Sequence, residues 1–203
     1  MHQTIIMNNA FDTIINSYLQ DNIGIDSNFL TATLAIGLTQ NILQLQQDEQ
    51  MQHANIGNEI IKDATQKIRS DKIYWMDKSH NNPFENEFLL LAENFIKYLN
   101  STCYTGINAY EFHYAVYEEG TYYKRHKDQF QNNSSRKYSL VNYLNPNWLD
   151  EDGGQLLVYQ NDAVQKIQPQ SQTAVFFKSS EMEHEVTLAH RQRMSITGWL
   201  KQI

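Results

Sequence analysis

The segment that decides the fold is Arg193-Met194-Ser195-Ile196-Thr197-Gly198-Trp199-Leu200. Because successive side chains of a β-strand point to opposite faces, this alternation predicts a strand with two unlike faces. One face carries Arg193, Ser195, Thr197 and Trp199, and the other carries Met194, Ile196 and Leu200. If the apolar face packs against helices or a facing sheet, Arg193 and Ser195 point into the interior.

A buried guanidinium needs an anion, because an unpaired charge in the interior costs on the order of several kcal/mol. No carboxylate occupies an obvious pairing position for Arg193 in the sequence, so the carboxylate of a ligand is a candidate partner. A salt bridge to an Asp or Glu elsewhere in the chain is the alternative. On a neighbouring β-rich run, Tyr143 shares a face with Ser139 and Val141 and could donate a hydrogen bond to the same carboxylate, or could be an ordinary core tyrosine.

This strand is the last of eight short β-rich runs that follow residue 108. The runs lie at 111–117, 122–127, 137–144, 154–159, 164–168, 172–178, 184–189 and 193–200. Turn-forming compositions such as Asp-Glu-Asp-Gly-Gly separate them. The pattern predicts a mainly β core of the sandwich or jelly-roll type within an α+β protein.

The first half of the sequence reads as helical support for this core. Apolar residues recur at helical spacing over Phe11–Leu19, Leu30–Leu45 and Phe84–Tyr98, and Asp71–Trp75 is typical of a strand. Asp26 or Ser27 is the predicted N-cap of the second helix. Without a linker or repeat we expect one domain, 1–203. Its helical support region with early strands is 1–107 and its β core is 108–203, with the helices packed on one face.

Composition excludes several functional classes. Sixteen Lys and Arg against 23 Asp and Glu give a net charge of −7, which argues against a nucleic-acid partner. No apolar run is long enough to cross a membrane, and the N-terminus does not read as a secretory signal. The single cysteine, Cys103, cannot form an internal disulfide, so we expect a cytoplasmic protein with a buried Cys103.

Three residues are candidates for a metal site. His126 and Asp128 stand two positions apart, so a strand would aim both at one point, and a later strand could add His184. Two histidines and one carboxylate are the ligand set of non-haem Fe(II) oxygenases, which leaves coordination positions open. His-x-Asp alone is a weak signal, and histidines that merely pack in the core or face solvent are the alternative.

Several ordered motifs together resemble a known family. They are Tyr122-Tyr123-Lys124-Arg125-His126-Lys127-Asp128, Tyr143-Leu144-Asn145, Asp152-Gly153-Gly154-Gln155-Leu156, His184-Glu185-Val186 and Arg193-x-Ser195-x-Thr197-x-Trp199. In this spacing the chain resembles the 2-oxoglutarate/Fe(II) dioxygenases, and more narrowly the prolyl 4-hydroxylases of the EGL-nine type and their bacterial relatives. The segment Ile68-Arg69-Ser70-Asp71-Lys72-Ile73-Tyr74-Trp75 also resembles a stretch of that group, and the likeness extends over most of the chain.

The resemblance implies a double-stranded β-helix (jelly-roll) barrel and a role for each matched residue. Fe(II) would be bound by His126, Asp128 and His184. Arg193 would pair with the 5-carboxylate of 2-oxoglutarate and Tyr143 would donate a hydrogen bond to it. Tyr117 and Ser195 are assigned to the same co-substrate pocket, and Arg136 and Trp199 to the surroundings of the substrate prolyl group. Residues 54–68 would form a loop that covers the substrate.

The implied activity is prolyl 4-hydroxylation of a protein or peptide, coupled to decarboxylation of 2-oxoglutarate to succinate and CO₂. O₂ is the oxidant, and ascorbate is expected to support turnover. Halogenating members of the superfamily lack the carboxylate ligand, so Asp128 favours hydroxylation. Two alternatives stay open: an oxygenase acting on another residue or a small metabolite, and a non-catalytic jelly-roll module that senses a metal or ligand.

Overall fold

A computed structural model describes residues 2–54, 69–129, 134–160 and 163–203, with side chains described from Asn9 onward. The helices are α1 (His2–Asp21), α2 (Ala32–Gln47) and α3 (Pro83–Cys103), with short 3₁₀ turns at Lys78–His80 and Asp150–Asp152. The strands are β1 (Gly24–Asp26), β2 (Gln52–His53), β3 (Lys72–Trp75), β4 (Ala109–Tyr117), β5 (Tyr123–His126), β6 (Arg136–Tyr143), β7 (Leu156–Gln160), β8 (Ala163–Ile167), β9 (Ala174–Lys178), β10 (Glu183–Val186) and β11 (Arg193–Lys201).

The strands form two antiparallel sheets. One has seven strands in the order β1-β9-β6-β11-β4-β3-β2, and the other has four in the order β5-β10-β7-β8. All eight β-rich runs predicted after residue 108 are present as β4 to β11. The prediction of a mainly β core is therefore confirmed.

The helices pack against the outer face of the larger sheet. Its apolar side chains, including Met194, Ile196 and Leu200 of β11, are buried in one cluster with residues of all three helices. Edge-on aromatic contacts join the layers, with ring centroids 5.1 Å apart for Phe88 and Phe112. The predicted alternation of β11 is correct, and its other face turns towards the second sheet.

The second sheet closes over that inner face. Val141 and Phe177 of the larger sheet share a smaller apolar cluster with Leu156, Val158 and Val186 of the four-stranded sheet. This apolar cluster therefore lies between the two sheets.

Two local predictions are wrong. The N-cap of α2 is Thr31, whose hydroxyl accepts a hydrogen bond from the Leu34 N–H at 3.2 Å. Asp26 is instead committed to β1, where it pairs with Ala174 and its carboxylate accepts from the Asn28 N–H. Cys103 is exposed, because α3 continues past Tyr98 and ends at this residue on the surface.

Two further expectations concern the loop over the substrate and membrane-spanning segments. The loop expected to cover the substrate, 54–68, lies outside the described residues apart from Ala54. Within the described residues, no helix is long and apolar enough to cross a membrane.

Candidate active site

The three candidate metal ligands lie together at one end of the four-stranded sheet. His126 ends β5, Asp128 follows it by two residues, and His184 pairs with His126 across the β5–β10 ladder. One ligand atom from each residue lies within 4.8 Å of the others. The structure therefore brings together the two stretches that the sequence placed far apart.

Hydrogen bonds to the main chain orient both imidazoles. His126 Nδ1 lies 2.7 Å from the carbonyl oxygen of Lys124, and His184 Nδ1 lies 3.2 Å from that of Met182. A carbonyl can only accept, so each Nδ1 donates, and in a neutral imidazole with this tautomer Nε2 keeps a free lone pair. These Nε2 atoms lie 3.5 and 3.7 Å from Asp128 Oδ1.

The carboxylate is oriented by a serine from the other sheet. Ser139 Oγ donates a hydrogen bond of 2.6 Å to Asp128 Oδ2, which leaves Oδ1 directed at the two imidazoles. A second buried hydroxyl, that of Ser179, lies 2.9 Å from Ser139 Oγ. Two imidazole lone pairs and one carboxylate oxygen facing a common point fit a divalent metal ion with open coordination positions.

Charge within the cluster favours the protonation states that metal binding requires. Burial alone would raise the pKa of Asp128, but His184, His126 and the Ser139 hydroxyl hold that pKa well below its usual range. Burial lowers the pKa of His184, against the opposing effect of Asp128. An anionic carboxylate beside a neutral imidazole is the form in which both residues bind metal.

A cavity of about 130 Å³ adjoins the three residues and extends between the sheets. Apolar side chains such as Val141, Leu156 and Val186 line part of its wall. Arg193 also lines the cavity and is only 2% exposed. The candidate metal ligands and the guanidinium therefore face the same cavity.

Arg193 has no ionic partner within the described residues. Its Nε donates to the Gly154 carbonyl at 2.8 Å, and Nη1 lies 3.5 Å from Ser195 Oγ. No described carboxylate forms an ion pair with it, so the predicted alternative of an internal salt bridge is not met among those residues. A buried cation without an anion indicates a binding site for an anionic ligand.

Two tyrosines complete the surroundings of this guanidinium. Its carbon lies 4.8 Å from the centre of the Tyr117 ring and 5.1 Å from that of Tyr143. The Tyr143 hydroxyl is buried and lacks a hydrogen-bond partner among the described residues. Burial raises the pKa of Tyr143, so the phenol stays protonated and able to donate to a ligand.

Arg136 and Trp199, expected near the substrate, also line the cavity. The Arg136 guanidinium stacks 3.4 Å from the centre of the Trp199 ring and forms an ion pair of 2.8 Å with Glu111. His113 lies between Trp199 and Trp75, with ring centroids 5.4 and 4.9 Å away. Burial lowers the pKa of His113 to about 4, which keeps its imidazole neutral.

Sequence reasoning missed three residues that line or support the site. Ser139 was recognised only as a neighbour of Tyr143 on one strand face, although it holds Asp128. Arg69 and Tyr123 line the cavity and were quoted only as parts of matched motifs. Tyr123 stands three residues before His126, and no spacing rule for a strand brings those two side chains together.

Comparison with known proteins shows what this chain is similar to. Residues 112–201 match the model of the 2OG-Fe(II) oxygenase superfamily. The fold is similar to a prolyl-4-hydroxylase of Pseudomonas putida, with a TM-score of 0.86, 27% identity and coverage of 95% of this chain and 99% of that one.

A prolyl hydroxylase of Trichoplax adhaerens, solved with a hypoxia inducible factor oxygen degradation domain peptide, gives a TM-score of 0.88 at 26% identity, covering 99% of this chain and 93% of that one. A prolyl 4-hydroxylase from Phytophthora capsici is more distant, with a TM-score of 0.76 at 17% identity over 96% of this chain and 64% of that one. The resemblance recognised in the sequence is thus confirmed, since residues 112–201 match the 2OG-Fe(II) oxygenase superfamily and the two most similar of these structures are prolyl hydroxylases.

Proposed function

We propose that the protein is a prolyl 4-hydroxylase that uses Fe(II), 2-oxoglutarate and O₂ to hydroxylate a protein or peptide. The observation that carries this proposal is the shared cavity of two candidate sites. A His-His-carboxylate cluster faces it near a buried guanidinium that lacks an internal anion.

In this proposal, His126 Nε2, His184 Nε2 and Asp128 Oδ1 hold the metal ion. When bound, Fe(II) and 2-oxoglutarate supply the oxidising chemistry, in which O₂ is consumed, 2-oxoglutarate yields succinate and CO₂, and one oxygen atom enters a C–H bond. Main-chain carbonyls fix both imidazoles and Ser139 fixes the carboxylate, so the ligands are preorganised before the ion arrives.

Arg193 would bind the distal carboxylate of 2-oxoglutarate, and Tyr143 would donate a hydrogen bond to the same group. Each of these side chains lacks, among the described residues, the partner that a carboxylate would supply. Ser195, next to the guanidinium, and the ring of Tyr117 shape the same end of the cavity. Its apolar walls exclude water from the reacting centre and limit wasteful turnover.

The proline assignment draws on two relatives above 25% identity, which are both named as prolyl hydroxylases. One of them was solved with a bound peptide. Trp199 lines the cavity with Arg136 stacked on its ring, and its exposed part would contact a prolyl ring bound there. Because a fold alone does not define a substrate, this step needs its own test.

The proposal also covers the organisation of the chain. Residues 108–203 carry the chemistry, while 1–107 support the larger sheet and supply the covering segment, all within one cytoplasmic domain. Ascorbate would sustain activity by keeping the iron reduced.

The test begins with purified protein given Fe(II), 2-oxoglutarate and ascorbate, with succinate as the readout. Lysate from cells that lack the gene is then treated with wild type or with the Asp128→Ala variant. Mass spectrometry should find one added oxygen on a proline only with wild type. Oxygen on another residue or a metabolite would assign the alternative substrate class, and no succinate under any condition would favour the sensor.

A further inference from the structure

His126 is the candidate ligand with the weakest local support. It ends β5, a four-residue strand at the edge of the smaller sheet whose ladder partner is β10. Its side chain is 14% exposed, against 7% for Asp128 and 6% for His184. The bond from Nδ1 to Lys124 leaves the tilt of the imidazole plane to be set by other contacts.

Tyr123 supplies such a contact. Its ring is stacked on the imidazole of His126, with centroids 3.6 Å apart and planes 14° from parallel. Two planar groups at this separation lie in full contact, so the imidazole cannot tilt without moving the phenol ring. The orientation of His126 therefore depends on the position of Tyr123.

Tyr123 is held in turn by Arg69 and Asp71, which precede β3 of the other sheet. The Arg69 guanidinium lies 4.6 Å from the centre of the Tyr123 ring. Asp71 fixes this guanidinium by a bidentate ion pair, in which its carboxylate oxygens lie 2.7 Å from Nε and 2.5 Å from Nη2. The main chain reinforces the contact, because Arg69 and Tyr123 form an isolated β-bridge.

This ion pair is deeply buried, with Asp71 fully enclosed. Buried ion pairs add little net stability, because desolvation offsets their attraction, whereas they do fix geometry. Arg69 and Tyr123 line the same cavity as His126. The Arg69–Asp71 ion pair thus lies close enough to His126 to influence the orientation of its imidazole through Tyr123.

We propose that Asp71, Arg69 and Tyr123 form a positioning column that holds the imidazole of His126 in its metal-binding orientation. The inference deepens the proposed function and rests on it. It assigns a role in metal binding to two residues outside the matched segment 112–201. Loss of supporting contacts of this kind typically weakens metal affinity by about 10- to 100-fold.

The experiment measures Mn(II) binding to the full-length protein, using the electron paramagnetic resonance signal of the free ion. Tyr123→Leu should weaken Mn(II) binding by about 10-fold or more, whereas Tyr123→Phe, which keeps the ring, should bind as wild type does. Arg69→Lys keeps the charge near Asp71 but loses the planar group, so an intermediate weakening of roughly threefold is expected. Arg125→Met is the matched control. Arg125 lies on β5 as Tyr123 does, but its guanidinium stacks on the ring of Tyr159.

The outcomes separate this inference from the proposed function. Wild-type Mn(II) affinity in Tyr123→Leu, with affinity lost in His126→Ala, would overturn the column and leave the metal site intact. Retained affinity in His126→Ala would overturn both. Thermal melts without metal test whether each variant folds. If Tyr123→Leu does not fold, an unchanged Mn(II) affinity in Arg69→Lys overturns the inference. Equal weakening in Tyr123→Leu and Tyr123→Phe would overturn it too, because the stacked ring would then not matter.

Discussion

Replacing Arg193 with methionine should separate the stability of the protein from its affinity for 2-oxoglutarate. The guanidinium is 2% exposed and has two hydrogen-bond contacts, to Gly154 and Ser195, but no anion among the described residues. Methionine has a similar length and carries no charge. Without co-substrate, the variant should therefore melt at the wild-type temperature or up to about 4 °C above it, because an uncompensated buried charge has been removed.

The effect on binding should have the opposite sign. Truncating one partner of a buried, hydrogen-bonded charge pair costs about 3 kcal/mol. Since about 1.4 kcal/mol corresponds to a tenfold change, the dissociation constant for 2-oxoglutarate should rise about a hundredfold. Tyr143→Phe removes a single hydroxyl and should cost about 1 kcal/mol, or roughly fivefold.

Thermal melts of Mn(II)-loaded protein measure both quantities. At a 2-oxoglutarate concentration of about 100 times its wild-type dissociation constant, ligand binding stabilises wild type by about 2.7 kcal/mol, which is roughly 5–10 °C. The Arg193→Met variant should gain about 1 °C at the same concentration. Arg191→Met is the matched control, because Arg191 lies two residues earlier, pairs with Asp152 and stacks on Trp148. A full ligand-induced shift in Arg193→Met would refute the role of this guanidinium.

Three further predictions concern the metal cluster and its neighbourhood. His126→Ala and Asp128→Ala should each abolish iron-dependent succinate release while circular dichroism stays native; activity in both variants would contradict the ligand assignment. Ser139→Ala frees Asp128 Oδ2 and should weaken Mn(II) binding about 10-fold, and unchanged affinity would show that the hydrogen bond does not orient the carboxylate. Burial lowers the pKa of His113 to about 4, so between about pH 6.5 and 4 the unfolded chain binds a proton that the native protein does not, and stability falls as pH decreases. Urea unfolding measures how far the free energy of unfolding falls between pH 7 and 5, and this fall should be about 2 kcal/mol smaller for His113→Met than for wild type. An equal fall in both proteins would refute a buried neutral His113.

The sequence could predict those features that depend on local periodicity or on a ligand set. Alternation alone separated Arg193 and Ser195 from Met194 and Ile196, and it predicted that the first two point inside if the apolar face packs against helices or a facing sheet. Strand spacing made His126 and Asp128 candidates for one site, although this signal is weak by itself. His184 joined them as a ligand through the family resemblance, because no rule for a single strand places β10 beside β5.

The remaining features depend on contacts between distant segments. The hydroxyl of Ser139 reaches Asp128 because β6 of one sheet crosses the end of β5 in the other, and no sequence rule fixes that register. Thr31 caps α2 because Asp26 is already engaged in the β1–β9 ladder. The contact between Arg69 and Tyr123 likewise follows from how β3 and β5 meet.

The candidate site is built from both sheets, and local sequence patterns therefore predict only part of it. The candidate metal ligands come from β5, the residues just after it and β10 of the four-stranded sheet, whereas Arg193 and Tyr143 come from the centre of the seven-stranded one. Their separation is set by the apolar cluster between the sheets, because neither sheet carries both parts. Polar contacts also join the two sheets. Ser139 donates a hydrogen bond to Asp128, and Arg69, paired with Asp71, contacts the ring of Tyr123 that stacks on His126. Under the proposed function, a co-substrate that binds the metal and the guanidinium at once would therefore act as a further link between the two sheets.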